Sequence, residues 1–210
     1  MESRAQLIVH PSYFMDVISL INTYHCDELI FEIHDNYVKQ TYRNRCVIAT
    51  TNGKNALSIP IIHQKSGSSV PYSSIEIDYS EKWKLNHLRA IKSAYQNSPY
   101  YEYYEQDLLE LYAKEESSLM KWNLSCTQFL LEQLQILPKI SYTSNYQGDI
   151  KAQKLITAKG NKHPIYQSYI QVFQEKHGFL QPLSGLDLLF NLGPSSRSFL
   201  KSQAALCDFK

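Results

Sequence analysis

Two β-rich segments flank the dipeptide Asn52-Gly53, and this arrangement constrains the fold more than any other feature of the sequence. The segments are Arg45–Thr50 (RCVIAT) and residues 56–62 (ALSIPII). An Asn-Gly dipeptide fits the two positive-φ positions of a tight type I′ turn, the connection that best matches the twist of paired strands. The sequence therefore predicts an antiparallel β-hairpin with Asn52 and Gly53 at its turn.

The N-terminal segment predicts a βαβ unit. A short apolar run at residues 6–9 stops at His10-Pro11, residues 14–24 carry apolar side chains at helical spacing, and residues 28–33 (ELIFEI) are again β-rich. Strands joined by a helix are expected to pair in parallel. In such a unit, the loop after the first strand lies at the helix N-terminus, where backbone N–H groups and the helix dipole favour an anion.

The middle of the chain has helical periodicity. We expect helices over residues 80–95, with Ser80 as N-cap, over 102–114 and over about 116–136. The first of these presents one apolar face, formed by Trp83, His87, Ile91 and Tyr95.

The remaining third combines a polar stretch with a final helix. Residues 139–168 are polar and lack periodicity, so we predict a long connection that is partly ordered at best. A helix opening at Ser184 and closing near Gly193 follows, and we favour Asp187 as its capping-box partner over a catalytic role. The expected fold class is α/β, a single domain spanning 1–210. It has an N-terminal βαβ unit with a β-hairpin, a mainly helical middle, and a C-terminal helical segment packed back on the domain.

Composition excludes several classes of function. The formal net charge of +1 offers no basic field for nucleic acid, and no window is apolar enough to span a membrane. The first twenty residues lack the apolar core of a secretory signal, so we expect a cytoplasmic protein. Residues 64–72 are typical of a flexible loop. The four cysteines are widely spaced and predict reduced structural thiols without a zinc motif: Cys26, Cys46, Cys126 and Cys207.

A basic segment precedes the predicted hairpin and supplies candidate substrate-binding residues: Lys39, Tyr42, Arg43, Asn44 and Arg45. Arg43 and Arg45 fall on the same side of an extended segment, where two guanidinium groups can hold one diphosphate or carboxylate. The alternatives are a solvated basic edge, or a pairing of Arg45 with Asp35 that fixes the strand.

Three residues are candidate catalytic groups. Asp35 closely follows the second predicted strand, where it can act as general base or metal ligand, or merely as a turn residue. His87 lies on the apolar helix face, so it is either a general acid or base or a core histidine. His10 lies in the loop after the first strand, in a position to stabilise a transferred phosphoryl group. The sequence identifies neither a cofactor nor a requirement for metal, and it lacks the motifs of P-loops, zinc proteases, serine hydrolases and dinucleotide folds.

Three segments resemble the WbqC-like family of bacterial proteins. They are residues 32–60 (EIHDNYVKQTYRNRCVIATTNGKNALSIP), residues 83–108 (WKLNHLRAIKSAYQNSPYYEYYEQDL) and residues 169–194 (YIQVFQEKHGFLQPLSGLDLLFNLGP). The most similar form is the short one typical of Bacteroidetes. Members are tied by their loci to O-antigen and other surface polysaccharide biosynthesis, so the resemblance implies a similar setting here.

The resemblance leaves two functional readings open. The leading one is a group-transfer enzyme that binds an activated anionic donor: a nucleotide sugar, a nucleotide, or an acyl or aminoacyl compound. Gln171, in the C-terminal motif, is then a candidate substrate-binding residue, unless the motif only folds this segment over the site. The alternative is a non-catalytic module that assembles glycan-biosynthesis enzymes through the tyrosine-rich stretch at residues 100–104.

Overall fold

A computed structural model describes residues 5–62, 69–158 and 164–204 of the chain. The strands are β1 (Gln6–Val9), β2 (Glu28–Phe31), β3 (Arg45–Thr50), β4 (Gly53–Ser58) and β5 (Lys139–Tyr142). The longer helices are α1 (Val17–Tyr24), α2 (Trp83–Tyr95), α3 (Tyr101–Ala113), α4 (Leu119–Gln133), α7 (Gly185–Leu192) and α8 (Ser195–Ser202). Two short helices are α5 (Ile150–Ile156) and α6 (Gln174–His177).

The N-terminal βαβ unit is confirmed, with β1 and β2 parallel and in register from Gln6 opposite Glu28 to Val9 opposite Phe31. Helix α1 begins at Val17 rather than at Phe14, because Phe14 has a left-handed backbone (φ 43°) that cannot continue a right-handed helix. Asp16 caps the helix by accepting a hydrogen bond from the Ser19 backbone N–H at 2.8 Å.

The β3–β4 hairpin is also confirmed, but its turn differs from the predicted one. Thr50 pairs with Gly53, so Thr51 and Asn52 are the two loop residues. Gly53 has positive φ (95°), whereas Asn52 does not. A turn that needs left-handed backbone only at its last position explains this geometry, since glycine is favoured at position i+3 of a type I turn.

The prediction of a long connection over residues 139–168 is wrong where the structure describes this segment. Lys139–Tyr142 forms β5, which pairs in parallel with β2 and gives the sheet the order β1-β2-β5. Ile150–Ile156 forms α5, which is capped by Asp149 and packs against β1. The sequence pattern of these two elements is weak, because β5 has no fully buried residue and α5 spans only two turns.

In the helical middle of the chain, the face of α2 that the sequence predicts to be buried is the buried one. The predicted apolar face of α2 is buried at all four of its positions: Trp83, His87, Ile91 and Tyr95. The helix begins later than expected, however, because Lys82 rather than Ser80 is the N-cap and makes no side-chain capping bond. Ser118 caps α4 through the Lys121 N–H, so that helix also begins within the predicted range.

The C-terminal segment packs back on the N-terminal part, as predicted. Helix α7 contacts α1, α3, α4 and α8, and α8 contacts α1. Ser184 is the N-cap of α7, but the capping-box role of Asp187 is wrong. The Ser184 N–H donates to the Val47 carbonyl instead, and the Asp187 carboxylate is buried among other donors.

The predictions for the flexible loop, the cysteines and membrane spans can be compared with the structure only at the described residues. Residues 63–68 of the predicted flexible loop and Cys207 lie outside them, while Cys26, Cys46 and Cys126 are free thiols. In the described ranges, none of the helices combines the length and the apolar character needed to cross a bilayer.

Candidate functional site

Polar residues converge at the carboxyl ends of the parallel strands. His10 directly follows β1, Glu32 and Asp35 follow β2, and Thr143 follows β5. In open α/β sheets, this edge is where ligands bind, because the loops that leave the strands can close around them.

His10, Asp35 and Arg43 form one buried group at this edge, which we call the Arg43 cluster. Arg43 Nη2 lies 2.5 Å from Asp35 Oδ2 and 3.2 Å from His10 Nδ1. The His10 Nδ1 to Asp35 Oδ2 distance is 3.7 Å, too long for a hydrogen bond. Arg43 is 0% exposed and His10 is 3% exposed, so both groups lie in the protein interior.

The geometry of the Arg43 cluster fixes the tautomer of His10. A guanidinium group has only donors, so His10 Nδ1 must accept the hydrogen bond from Arg43 Nη2. The proton of the neutral ring is therefore on Nε2. This Nε2–H and the Nε and Nη1 groups of Arg43 are buried without a partner among the described residues. Buried donors without acceptors are costly, and three such donors in one cluster match the hydrogen-bonding needs of an anionic group.

Burial also keeps His10 neutral. It lowers the pKa of His10 well below the ordinary value of 6.5, and the nearby Arg43 guanidinium lowers the pKa further, against a smaller opposing effect of Asp35. Burial likewise lowers the pKa of Arg43, while Asp35 acts against that shift. At neutral pH, His10 is therefore suited to donate from Nε2 to a developing negative charge.

Residues that sequence reasoning missed hold the Arg43 cluster in place. Gln153 of α5 donates to Asp35 Oδ2 at 3.0 Å, and the guanidinium carbon of Arg43 lies 5.4 Å from the centre of the Tyr72 ring. The amide of Asn123 in α4 donates to the Arg43 carbonyl and to the Tyr72 hydroxyl, each at 2.5 Å. No sequence motif singles out these three residues, because each comes from a separate, distant element.

Glu32 organises the loop after β5. Its carboxylate accepts hydrogen bonds from the His34 N–H, the Thr143 hydroxyl and the Gln147 N–H, at 2.8 to 3.0 Å. A buried carboxylate with three donors is a satisfied structural group. Glu32 therefore ties the ends of β2 and β5 together beside the Arg43 cluster.

The remaining residues of the basic segment have different surroundings. Lys39 is exposed, Arg45 is half-buried and Tyr42 is buried. Asn44 donates to the Ile59 carbonyl at 3.1 Å. The residue that pairs with Asp35 is Arg43, so the alternative pairing of Asp35 with Arg45 is wrong.

His87 belongs to a different network from the other two catalytic candidates. Its Nδ1 lies 2.9 Å from the Tyr13 hydroxyl, which also forms a short hydrogen bond with Tyr112. Its ring packs edge-on against Trp83. Burial lowers the pKa of His87 to about 4, so the ring is neutral at physiological pH. The structure thus brings His10 and Asp35 together and ties His87 to the aromatic core.

The side chain of Gln171 is hydrogen-bonded to other residues of the C-terminal segment. Its amide group donates to Asp187 and to the Leu180 carbonyl and accepts from the Leu180 N–H. Asp187 also accepts from the hydroxyls of Tyr95 at 2.9 Å and Tyr169 at 2.6 Å. Burial raises the pKa of Asp187 to about 6, although these hydrogen bonds oppose the shift. Gln171 therefore contacts Asp187, at a place distinct from the Arg43 cluster.

Within the described ranges, no group of three or more His, Cys, Asp or Glu side chains is arranged to hold a metal ion. The one carboxylate of the Arg43 cluster, Asp35, already faces Arg43 and Gln153. The donors left without partners in this cluster are all N–H groups, which suit an anionic ligand and not a cation.

The fold and the site define an α/β protein with a buried polar cluster at the carboxyl edge of a small parallel sheet. The WbqC-like family model matches residues 18–162, about two thirds of the 210 residues, and the chain therefore belongs to the WbqC-like protein family. The match includes Asp35, Arg43, His87 and Gln153, whereas His10 and Gln171 lie outside it. In the searches of curated proteins and of solved structures, nothing matches the chain.

Proposed function

We propose that this protein is a group-transfer enzyme of bacterial surface polysaccharide biosynthesis, and that it acts in the cytoplasm. Its donor is an activated, anionic small molecule: a nucleotide sugar, a nucleotide, or an acyl or aminoacyl compound. The WbqC-like family membership supports the biological setting. The Arg43 cluster supports the anionic character of the donor.

The single observation that carries the proposal is the set of three unpartnered buried donors in the Arg43 cluster. A phosphate or carboxylate group would accept hydrogen bonds from Arg43 Nε and Nη1 and from His10 Nε2. Hydrogen bonds between charged groups in a dry site are about twice as strong as neutral ones. The same donors would stabilise negative charge on the leaving group as transfer proceeds.

The burial of the Arg43 cluster favours transfer over hydrolysis. The unpartnered atoms of His10 and Arg43 are inaccessible to solvent, so the ligand enters when a covering segment moves. The segment that contains Tyr72 lies beside the cluster, because the Tyr72 N–H donates to the Asp35 carbonyl at 2.9 Å. A site that closes around its ligand excludes water, which would otherwise compete with the acceptor.

The alternative of an assembly module receives less support from the same structure. Its contact surface would be the tyrosine-rich stretch at residues 100–104. Of the four tyrosines there, Tyr103 is 77% exposed and Tyr101 is 4% exposed, while the other two are half-buried. They face different environments along α3, and a shared binding surface needs them on one side.

The test is a thermal-shift screen against nucleotide sugars, nucleotides, coenzyme A esters and amino acids, each with and without Mg²⁺. It compares the wild type with Arg43→Lys, which keeps a cation beside Asp35 but removes the planar set of donors. Arg89→Lys is the matched control, since Arg89 is an exposed arginine on α2. We expect one ligand class to raise the melting temperature of the wild type and of Arg89→Lys, but not that of Arg43→Lys.

Two results contradict the proposal. If the stabilising ligand acts equally on all three proteins, it binds elsewhere than the Arg43 cluster. If no ligand class stabilises the folded wild type, the assembly module becomes the better explanation.

A further inference from the structure

A second polar site lies between α2 and β4. It is a groove of about 360 Å³, which we call the α2–β4 groove, and its lining includes Asn44, Ser58, Pro60, Trp83, Asn86 and His87. The volume falls within the range of small-molecule sites, about 300 to 1,000 Å³. The lining combines an aromatic ring, an aliphatic wall and side-chain amides, so both faces and edges of a ligand find partners.

Two polar atoms of the α2–β4 groove lining have no partner among the described residues: the acceptor Asn44 Oδ1 and the donor Trp83 Nε1. Trp83 is 3% exposed, so water does not reach its indole N–H, which has no hydrogen-bond acceptor among the described residues. One unmet acceptor and one unmet donor call for groups that both donate and accept. A hydroxyl group has this property, whereas a carboxylate or phosphate has only acceptors at neutral pH.

The groove wall is held in a fixed orientation. The Tyr13 hydroxyl lies 2.9 Å from His87 Nδ1, and the side-chain amide nitrogen of Asn44 donates to the Ile59 carbonyl at 3.1 Å. Because the Asn44 nitrogen is already bound, the unpartnered Asn44 oxygen points in a set direction. A site with pre-oriented groups loses little entropy when it binds a ligand.

The α2–β4 groove adjoins the Arg43 cluster along the chain. Arg43 and Asn44 are consecutive residues in the turn that leads into β3. Arg43 contributes to the anion site, while Asn44 lines the groove. The two sites therefore flank the same stretch of backbone.

We propose that the α2–β4 groove binds a neutral saccharide, and that this saccharide is the acceptor of the transferred group. That the saccharide is an acceptor rests on the proposed function, whereas the saccharide site itself rests on the geometry of the groove. The pyranose ring would lie against Pro60, and its hydroxyls would meet the exposed amide of Asn86 and, beneath the groove surface, Asn44 Oδ1 and Trp83 Nε1. Small side-chain movements admit the hydroxyls to the last two atoms.

The test is a titration of ¹⁵N-labelled protein with the methyl glycosides of glucose, galactose and N-acetylglucosamine. The readout is the indole N–H signal of Trp83, identified as the signal that Trp83→Phe removes. Asn86→Phe fills the groove from an exposed position, and Arg89→Phe makes the same change at an exposed position of α2 outside the groove lining. We expect at least one glycoside to shift the signal in the wild type and in Arg89→Phe, and the shift to be lost in Asn86→Phe.

The saccharide site is overturned if no glycoside shifts the indole signal, or if the shift persists in Asn86→Phe. Arg43→Lys separates this outcome from the fate of the anionic donor, because the substitution leaves the groove lining intact and should leave saccharide binding unchanged. Saccharide binding without any donor binding would contradict group transfer and leave the site standing. Donor binding without saccharide binding would contradict the groove alone.

Discussion

At the residue scale, the site contains a buried ion pair between Asp35 and Arg43. Both groups are buried, and taking two charges out of water costs several kcal/mol per ion, which their mutual attraction offsets only while both are present. Gln153 and the Asn36 N–H supply further donors to the same carboxylate. The pair is therefore a fixed element of the site rather than a surface contact.

A double-mutant cycle tests this pair. Asp35→Asn and Arg43→Met should each reduce the free energy of unfolding by about 3 to 5 kcal/mol, because each leaves one buried charge uncompensated. The double variant should lose about 1 to 3 kcal/mol less than the sum of the two single losses. Urea denaturation of the four proteins measures this coupling. Strictly additive losses would show that the two charges do not compensate each other.

Asp187 predicts a specific pH dependence of stability. Its pKa rises from 3.8 in the unfolded chain to about 6 in the folded protein, so the folded state holds the proton more tightly. The stability from this group is complete below about pH 4 and is lost as the pH rises through about 6. The loss amounts to about 3 kcal/mol, because each pKa unit corresponds to about 1.4 kcal/mol.

Asp187→Asn removes this titration. The free energy of unfolding of the wild type, minus that of Asp187→Asn, should fall by about 2 to 2.5 kcal/mol between about pH 4 and about pH 7. Urea denaturation across this range measures the difference. Asp107→Asn, at an exposed aspartate, is the control and should follow the wild-type curve. A difference that stays constant with pH would mean that Asp187 does not titrate in this range.

At the element scale, the sequence specified those elements whose signals are local. The hairpin follows from one dipeptide between two β-rich runs, and α2 and α4 follow from apolar periodicity over several turns. Strand β5 and helix α5 lack such signals, since β5 has no fully buried residue and is stabilised by pairing with the distant β2. His10 and Asp35 were found from their places at strand ends. Gln153 was missed because α5 itself was missed.

The end of α7 depends on a glycine that both adopts positive φ and lies against a ring. Gly193 has φ 50°, and a Cβ there would lie 2.5 Å from the Tyr100 ring. Gly178 has φ 66° with nothing within 4 Å of the same added atom. An alanine at Gly178 would therefore add backbone strain alone, whereas an alanine at Gly193 would add both strain and a steric clash.

We predict that Gly178→Ala lowers the free energy of unfolding by about 1 to 3 kcal/mol through strain alone. Gly193→Ala should lose a further 1 to 3 kcal/mol, roughly, because Tyr100 must move. Thermal and urea denaturation of the two variants give the comparison. Equal losses would show that the Tyr100 ring yields without cost.

At the scale of the whole molecule, α7 lies at the centre of the packing. Residues 185–191 are all buried, and the helix contacts α1, α3, α4 and β3. Gly185 lies in close packing, since an added Cβ would lie 2.5 Å from Leu20 Cδ1 and 3.0 Å from the Met15 carbonyl oxygen. The C-terminal segment is thus part of the main core and not an appendage to it.

Native-state hydrogen exchange should therefore be slowest in α7. Its amides open only with global unfolding, whereas those of α6, which has no buried residue, exchange through local opening. Mass spectrometry of exchanged peptides that cover Gln174–His177 and Gly185–Leu192 measures the contrast. Similar rates in both peptides would mean that the C-terminal helices open as one unit, separately from the rest of the core.

The order of strands in the sheet has a consequence for synthesis on the ribosome. Strand β2 ends at Phe31 and its neighbour β5 begins at Lys139, so more than a hundred residues must be translated before that edge is covered. At about 5 to 20 residues per second, the nascent βαβ unit waits roughly 5 to 20 s with one edge of β2 unpaired. An open strand edge is a template for another chain. The stalled or truncated nascent protein is therefore the form most exposed to aggregation and to chaperone capture.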